Sequence, residues 1–310
     1  MPQRSWWAIL AVVVVLVVGL VLWRQSHRTA PPAPRAAATS VAARATPGPY
    51  EAERAQAQSA ADKNLDAEAV AVIAETETAM RSVAAGDKAA ALAALERATG
   101  KANILLARNP ATALIPAAVD VNVIDAAPAD TTTIENVRHA AGLAMLANDY
   151  AAARVLLDAL RSEIRVRTYN VPLATYPAAL TAAARLVDQQ KMAEAAAVLA
   201  RARDTVVIID TVTPIPLLAA QHAIMAAEAA SDRNQKLAAL ALARASLERA
   251  EALGYADAAT RKALQGEISN LETQVRGGSD IRTAIANIRQ SLADAIRRFT
   301  GTRREGRPSS

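Results

Sequence analysis

The feature that most constrains this chain is the run from Trp6 to Trp23, 18 residues without a charged side chain. At about 1.5 Å per residue a helix of that length spans roughly 27 Å, close to the hydrocarbon thickness of a bilayer. Tryptophans at both ends suit the preference of indole rings for the membrane interface. A signal-peptide core is shorter, about 7–15 residues, and a buried core helix would not run directly into Arg24, Gln25, Ser26, His27 and Arg28. Residues 1–28 therefore read as a transmembrane anchor, with a cleaved signal segment as the rival reading. Arg4 precedes the run, whereas Arg24, Arg28, Arg35 and Arg44 follow it. By the positive-inside rule alone, that charge would leave the body in the cytoplasm.

Residues 29–64 read as a linker whose first part is rich in Pro and Ala (Pro31, Pro32, Pro34, Pro47, Pro49) and semi-extended. Five of the 35 basic residues lie in residues 1–50, which carry no acid. The 30 basic residues that remain therefore match the 30 acidic ones of the body. A neutral body with few aromatic side chains lacks both the charge and the stacking platforms of a nucleic-acid binder. The chain has no cysteine, which excludes disulfides and thiolate chemistry. All three tryptophans lie in the N-terminal run. A core built from Ala, Leu, Val and Ile suits closely packed helices.

From residue 65 onward the body predicts a mainly α fold: antiparallel helical hairpins in one bundle-like domain, with a few short strands or extended Pro-containing segments. Helical faces run through Val72, Thr76, Met80 and Val83, and through Leu92, Leu95, Ala98, Ala102 and Leu106. Others run through Ile134, Val137, Ala141 and Met145, and through Ala153, Leu156, Leu160 and Ile164. Later faces are Leu264, Ile268, Leu271, Val275 and then Ile281, Ile285, Ile288, Leu292, Phe299, the last read as an amphipathic C-terminal helix over 277–300. A basic, disordered tail follows at 301–310. The order helix, polar turn, Ala-rich helix, extended stretch recurs weakly, as in tetratricopeptide-like arrays. Tyr150 aligns with Met192 and Pro172 with Pro214, each 42 residues on. The extended stretches are Val119–Val123, Ile164–Thr168 and Val206–Ile209; the first two alternate, and the third is a continuous β-branched run.

No catalytic constellation is legible. There is no phosphate-binding glycine loop and no nucleophile elbow. His139 and His222 lack a second histidine one helical turn away. The chain reads as a non-enzyme without cofactor or metal. Candidate binding residues gather instead in the extended stretches, where irregular backbone needs polar partners. They are Asp120, Tyr169, Asn170, Thr175, Tyr176, Asp210, Thr211 and Thr213. They read either as loop caps or as a pocket lining for a small molecule.

Several stretches together resemble the YfdX family. They are Ala94–Lys101 with Ile104–Pro110, Arg161–Ile164, Val171–Pro177, Asp210–Leu218 and Glu251–Tyr255. The resemblance covers about residues 65–275, and the predicted family domain is 65–276. It implies a mainly helical body, export to the bacterial envelope and a role in tolerance of acid or drug stress, with no catalytic residues to carry over. It places the body outside the cytoplasm, against the arginine count. The expected partners are the membrane through residues 6–23, a small molecule or envelope protein, and further copies of the chain. A tetratricopeptide-like scaffold for a protein partner is the competing reading.

Overall fold

A computed structural model describes residues 50–300 and the backbone of Arg303–Arg304. The run Trp6–Trp23, the Pro/Ala-rich stretch before Tyr50 and the rest of the tail lie outside the described residues. Among the described residues no helix is long and apolar enough to cross a membrane.

The described chain is mainly helical. Helix α1 is Glu51–Asp62, α2 Ala67–Ala84 and α3 Lys88–Arg108, followed by strand β1, Leu114–Asp125. Then come α4 (Thr131–Leu146), α5 (Tyr150–Asp158) and β2 (Ser162–Pro172), and after them α6 (Tyr176–Asp188), α7 (Met192–Asp204) and β3 (Val207–Pro214). The chain closes with α8 (Ile215–Ala229), α9 (Arg233–Ala252), α10 (Ala258–Gly277), α11 (Arg282–Phe299) and β4 (Arg303–Arg304).

The helix starts are written in the sequence. Asp66, Asp87, Asp130, Asp149, Asp232 and Asp257 each precede a helix, and each carboxylate accepts from a first-turn backbone N–H. The hairpin turns share one construction. Gly86, Asn148 and Gln190 adopt φ of 73°, 59° and 59°. The N–H of the next residue returns to the helix before it: Asp87 to Ser82, Asp149 to Ala144 and Lys191 to Leu186. That is the left-handed helix stop, which satisfies the last carbonyls of one helix and reverses the chain into the next.

The repeat is therefore physical: hairpin, strand, hairpin, strand, hairpin, strand. Tyr150 and Met192 each open a helix, and Pro172 and Pro214 each end a strand. The strands are longer than expected. They form one antiparallel sheet in the order β1-β2-β3-β4. Proline ends β2 and β3 because it cannot donate to the ladder.

Within this body the buried side chains gather in two main clusters. The first joins α2, α3, α6 and α7 to the sheet through Ile115, Ala117, Val171 and Leu173. The second joins α8, α9, α10 and α11. Both are dense in alanine, which lets helix axes approach closely. Between them, Val121, Ile164 and Ile215 form a small cluster on one sheet face, packed by Tyr50 and Ala57 from the α1 segment.

Several expectations need correction. Glu51–Asp62 is helical although residues 29–64 are expected to form a linker; Ala57 and Tyr50 pack against the apolar cluster on the sheet. Leu106 and Met145 are exposed, with Leu105 taking the core position on α3. Ile164 belongs to β2, since α5 ends at Asp158. The stripe Ile281 to Leu292, read from the sequence as the apolar side of an amphipathic helix, is buried in the second core, with Phe299 packed at its margin. In the tail, the backbone at Arg303 and Arg304 pairs with Asp210 and Ile209.

Candidate functional site

Alternation along β2 divides the sheet into two chemically distinct faces. Residues 164 and 166 point to the apolar face, beside Val119, Val121 and Val123 of β1. Residues 163, 165, 167 and 169 point the other way. Register sets Asp120 and Asp210 on either side of Arg167, and Asn122 and Val212 on either side of Arg165.

The charged face is a network of ion pairs. Arg167 meets Asp210 with two parallel N–H···O bonds, 2.8 and 2.7 Å. Arg165 bridges Asp210 at 3.6 Å and Glu163 at 3.4 Å. Arg161 Nε donates to Glu163 at 3.0 Å. Ser162 N–H donates to the Tyr255 hydroxyl at 3.0 Å, and that hydroxyl donates to Glu163 at 3.3 Å. The Ser162 hydroxyl donates to Asp125, which also receives Arg249 at 3.0 Å. Glu163 and Asp210 are buried, and such carboxylates are tolerable only because arginines meet them. Burial, above all, lifts the Tyr255 phenol to about 12.

The eight residues singled out in the sequence do not converge. Tyr169 and Asp210 share the charged face, and Asp120 lies on it, exposed, accepting from Asn122 at 2.8 Å. Thr211 and Thr213 point to the opposite face, opposite Val166 and Ile164. Buried Asn170 donates to the carbonyls of Thr168 and Val207, holding the sheet end. Thr175 is an exposed residue before α6. Tyr176 is 1% exposed in the first core, where Thr76 is its hydrogen-bond partner and burial raises its pKa. A common pocket around Tyr169, Tyr176 and Asp210 is thus not what the fold builds. The ladder Arg161, Glu163, Arg165, Arg167 was missed, though its period-two charge was legible.

A second surface was missed as well. The α4–α5 hairpin is held mainly at its base, where Ile134 and Leu160 meet Ala252. Further out it exposes Leu143, Met145, Leu146 (82%), Tyr150, Val155 (70%) and Leu157. An open groove of about 750 Å³ runs along α4, lined by Glu135, Arg138, His139, Leu143, Met145 and Leu146 among others. Six large apolar side chains exposed on one hairpin, three of them lining a common groove, exceed the scattered single ones of an ordinary surface and mark a candidate interaction site. The signal was an excess of apolar residues: α4 and α5 carry more than one buried stripe requires.

On the remaining charges, His222 Nε2 lies 2.8 Å from Glu53 and its ring stacks on Tyr50 at 6.3 Å, which ties α1 to α8. Burial raises the Tyr50 phenol too, aided by the nearby Asp125 carboxylate.

The YfdX protein family model matches residues 72–212. This segment includes most of the first core, the α4–α5 hairpin and most of the sheet. A solved structure of YfdX from Salmonella Typhi is 14% identical, with a TM-score of 0.34. The match covers 49% of this chain and 93% of that one. No curated protein matches the chain.

Proposed function

Residues 72–212 carry the YfdX family pattern, and from that premise we propose a non-catalytic interaction protein of the bacterial envelope that serves stress tolerance. It is tethered to the inner membrane through residues 6–23, its body faces the periplasm, and it acts by docking a protein partner. The observation that supports this reading is the apolar outer surface of the α4–α5 hairpin, from Leu143 to Leu157. An open surface rimmed by Glu135, Arg138 and His139 fits a macromolecular partner better than a small molecule, which needs an enclosing cavity. The separation of Tyr176 from Asp210 weighs the same way, and so does the hairpin repeat, which scaffolds of helical pairs share.

The test is complementation of a strain lacking the protein, under acid or drug challenge, by the variant carrying Leu146→Glu and Val155→Glu. Both side chains are strongly exposed, so the variant should fold and accumulate normally, yet fail to restore tolerance. Full rescue would overturn the docking surface. Reporters fused after residue 50 and at the C-terminus check the topology. Activity of cytoplasmic reporters at both positions would overturn the periplasmic placement.

A further inference from the structure

Strand β1 is the outermost strand of the sheet. Its inner edge is laddered to β2 from Leu114–Pro172 to Asp125–Ser162, with one shift of register between Pro116 and Ala118. Its outer edge, among the described residues, receives one main-chain bond, from Asp66 N–H to the Pro116 carbonyl at 3.1 Å. Pro116 and the register shift beside it disrupt only the start of the strand, two devices that blunt an edge. From Ala118 to Asp125 the strand is regular. A strand edge of that length carries a row of N–H and C=O groups suited to pairing with another strand.

The sequence along that edge is symmetric. Val119-Asp120-Val121-Asn122-Val123 reads Val-Asn-Val-Asp-Val in reverse. Antiparallel pairing of two copies about a two-fold axis through Val121, perpendicular to the sheet, sets Val119 against Val123 of the other copy. It sets each Asp120 carboxylate against the other copy's neutral Asn122 amide. This is the donor–acceptor pair that already closes at 2.8 Å within one strand. Centring the axis on Asp120 would oppose two carboxylates, and centring it on Asn122 would put Asp120 against Ile124. The register about Val121 alone keeps charge complementary. It also keeps faces continuous: the valine face of one copy runs into that of the next, and the charged face does likewise.

We infer that β1 is the self-association edge of this protein, pairing with β1 of a second copy to join the two sheets into one of six long strands. Such an interface is isologous and closed, so it consumes the open edge instead of propagating a fibre. It does not depend on the function proposed for the α4–α5 surface.

The chain lacks cysteine, so introduced thiols report without background. Asp120→Cys and Asn122→Cys are both at exposed positions and leave the core untouched. In the paired register, residue 120 of one copy lies directly opposite residue 122 of the other. Their Cβ atoms then lie about 4.5–5.5 Å apart, whereas residue 120 lies diagonally across from its own counterpart at roughly 7–8 Å. Only the first spacing approaches that of a disulfide. Full-length chains of the two variants, co-produced and oxidised in mild detergent, should cross-link several-fold more than either variant alone. Cross-linking that is absent throughout overturns the edge interface. Cross-linking strongest in Asp120→Cys by itself overturns this register and with it the argument from symmetry.

Discussion

Arg167 on β2 and Asp210 on β3 face each other across the ladder with two parallel hydrogen bonds, 2.8 and 2.7 Å, and the carboxylate is 5% exposed. Arg165 stands 3.6 Å from the same carboxylate. Removing the acid therefore takes a carboxylate partner from two guanidinium groups on a half-buried face, although Arg165 keeps Glu163 at 3.4 Å. Asp210→Ala should cost about 3 kcal/mol, read as a lower urea midpoint with an unchanged slope. Asp210→Asn, which keeps the shape but not the charge, should lose nearly as much. A loss below the error of the measurement would mean that solvent screens the network.

Tyr255 predicts an alkaline limit on stability. Its phenol is held near 12 in the folded chain, against about 10 when unfolded. The folded state then keeps a proton that the unfolded state has lost, so stability is intact below pH 10 and falls as pH rises toward 12. The raised phenols of Tyr50 and Tyr176 act in the same direction. Tyr255→Phe should flatten this decline. It should also cost roughly 1–3 kcal/mol at neutral pH, because the Ser162 N–H loses its acceptor. Chemical denaturation at pH 8 and pH 11 separates the two effects.

The His222–Glu53 contact governs the attachment of α1. Helix α1 has no fully buried residue, and the pair is part-exposed, 44% and 23%. Glu53→Gln should thus change global stability by less than about 1 kcal/mol. Amide exchange across Glu51–Asp62 should nevertheless quicken, since local opening is set by the contacts of that helix alone. Unchanged exchange in α1 would place its anchor elsewhere.

The turn at Gln190 holds a side chain in the left-handed region, φ 59°. Gln190→Gly should stabilise the protein by about 0.5–1 kcal/mol, relief of backbone strain exceeding the entropy glycine adds to the unfolded chain. The converse, Gly86→Ala at φ 73°, should destabilise by a similar amount through strain alone, because a Cβ there meets no atom within 4 Å. Thermal melts of both variants give the comparison.

Much of this fold was legible because its signals are local. The aspartates that cap six of the helices, the left-handed turn residues and the stripe at Leu264, Ile268, Leu271 and Val275 depend only on neighbours in the chain. Proline at 172 and 214 marks strand ends for the same reason. Where the reading ran too far, as at Ile164, helical and strand periods coincided over a few residues, and only pairing with Val123 and Thr213 resolved them. The candidate site fared differently. Asp210 was picked for its place before a proline, but its partners Arg165 and Arg167 lie more than 40 residues away.

The sequence by itself determined the uncharged run from Trp6 to Trp23, the neutral body, the mainly helical class and the 42-residue repeat, all of which follow from composition and short-range spacing. Tertiary structure decided which faces those elements present. It sent the C-terminal stripe into a second core and set Tyr176 apart from Asp210. It left Leu146 and Val155 in solvent, and β1 at the edge of the sheet. An apolar side chain reads alike in sequence whether it is buried or exposed, because burial is a property of what the rest of the chain places against it.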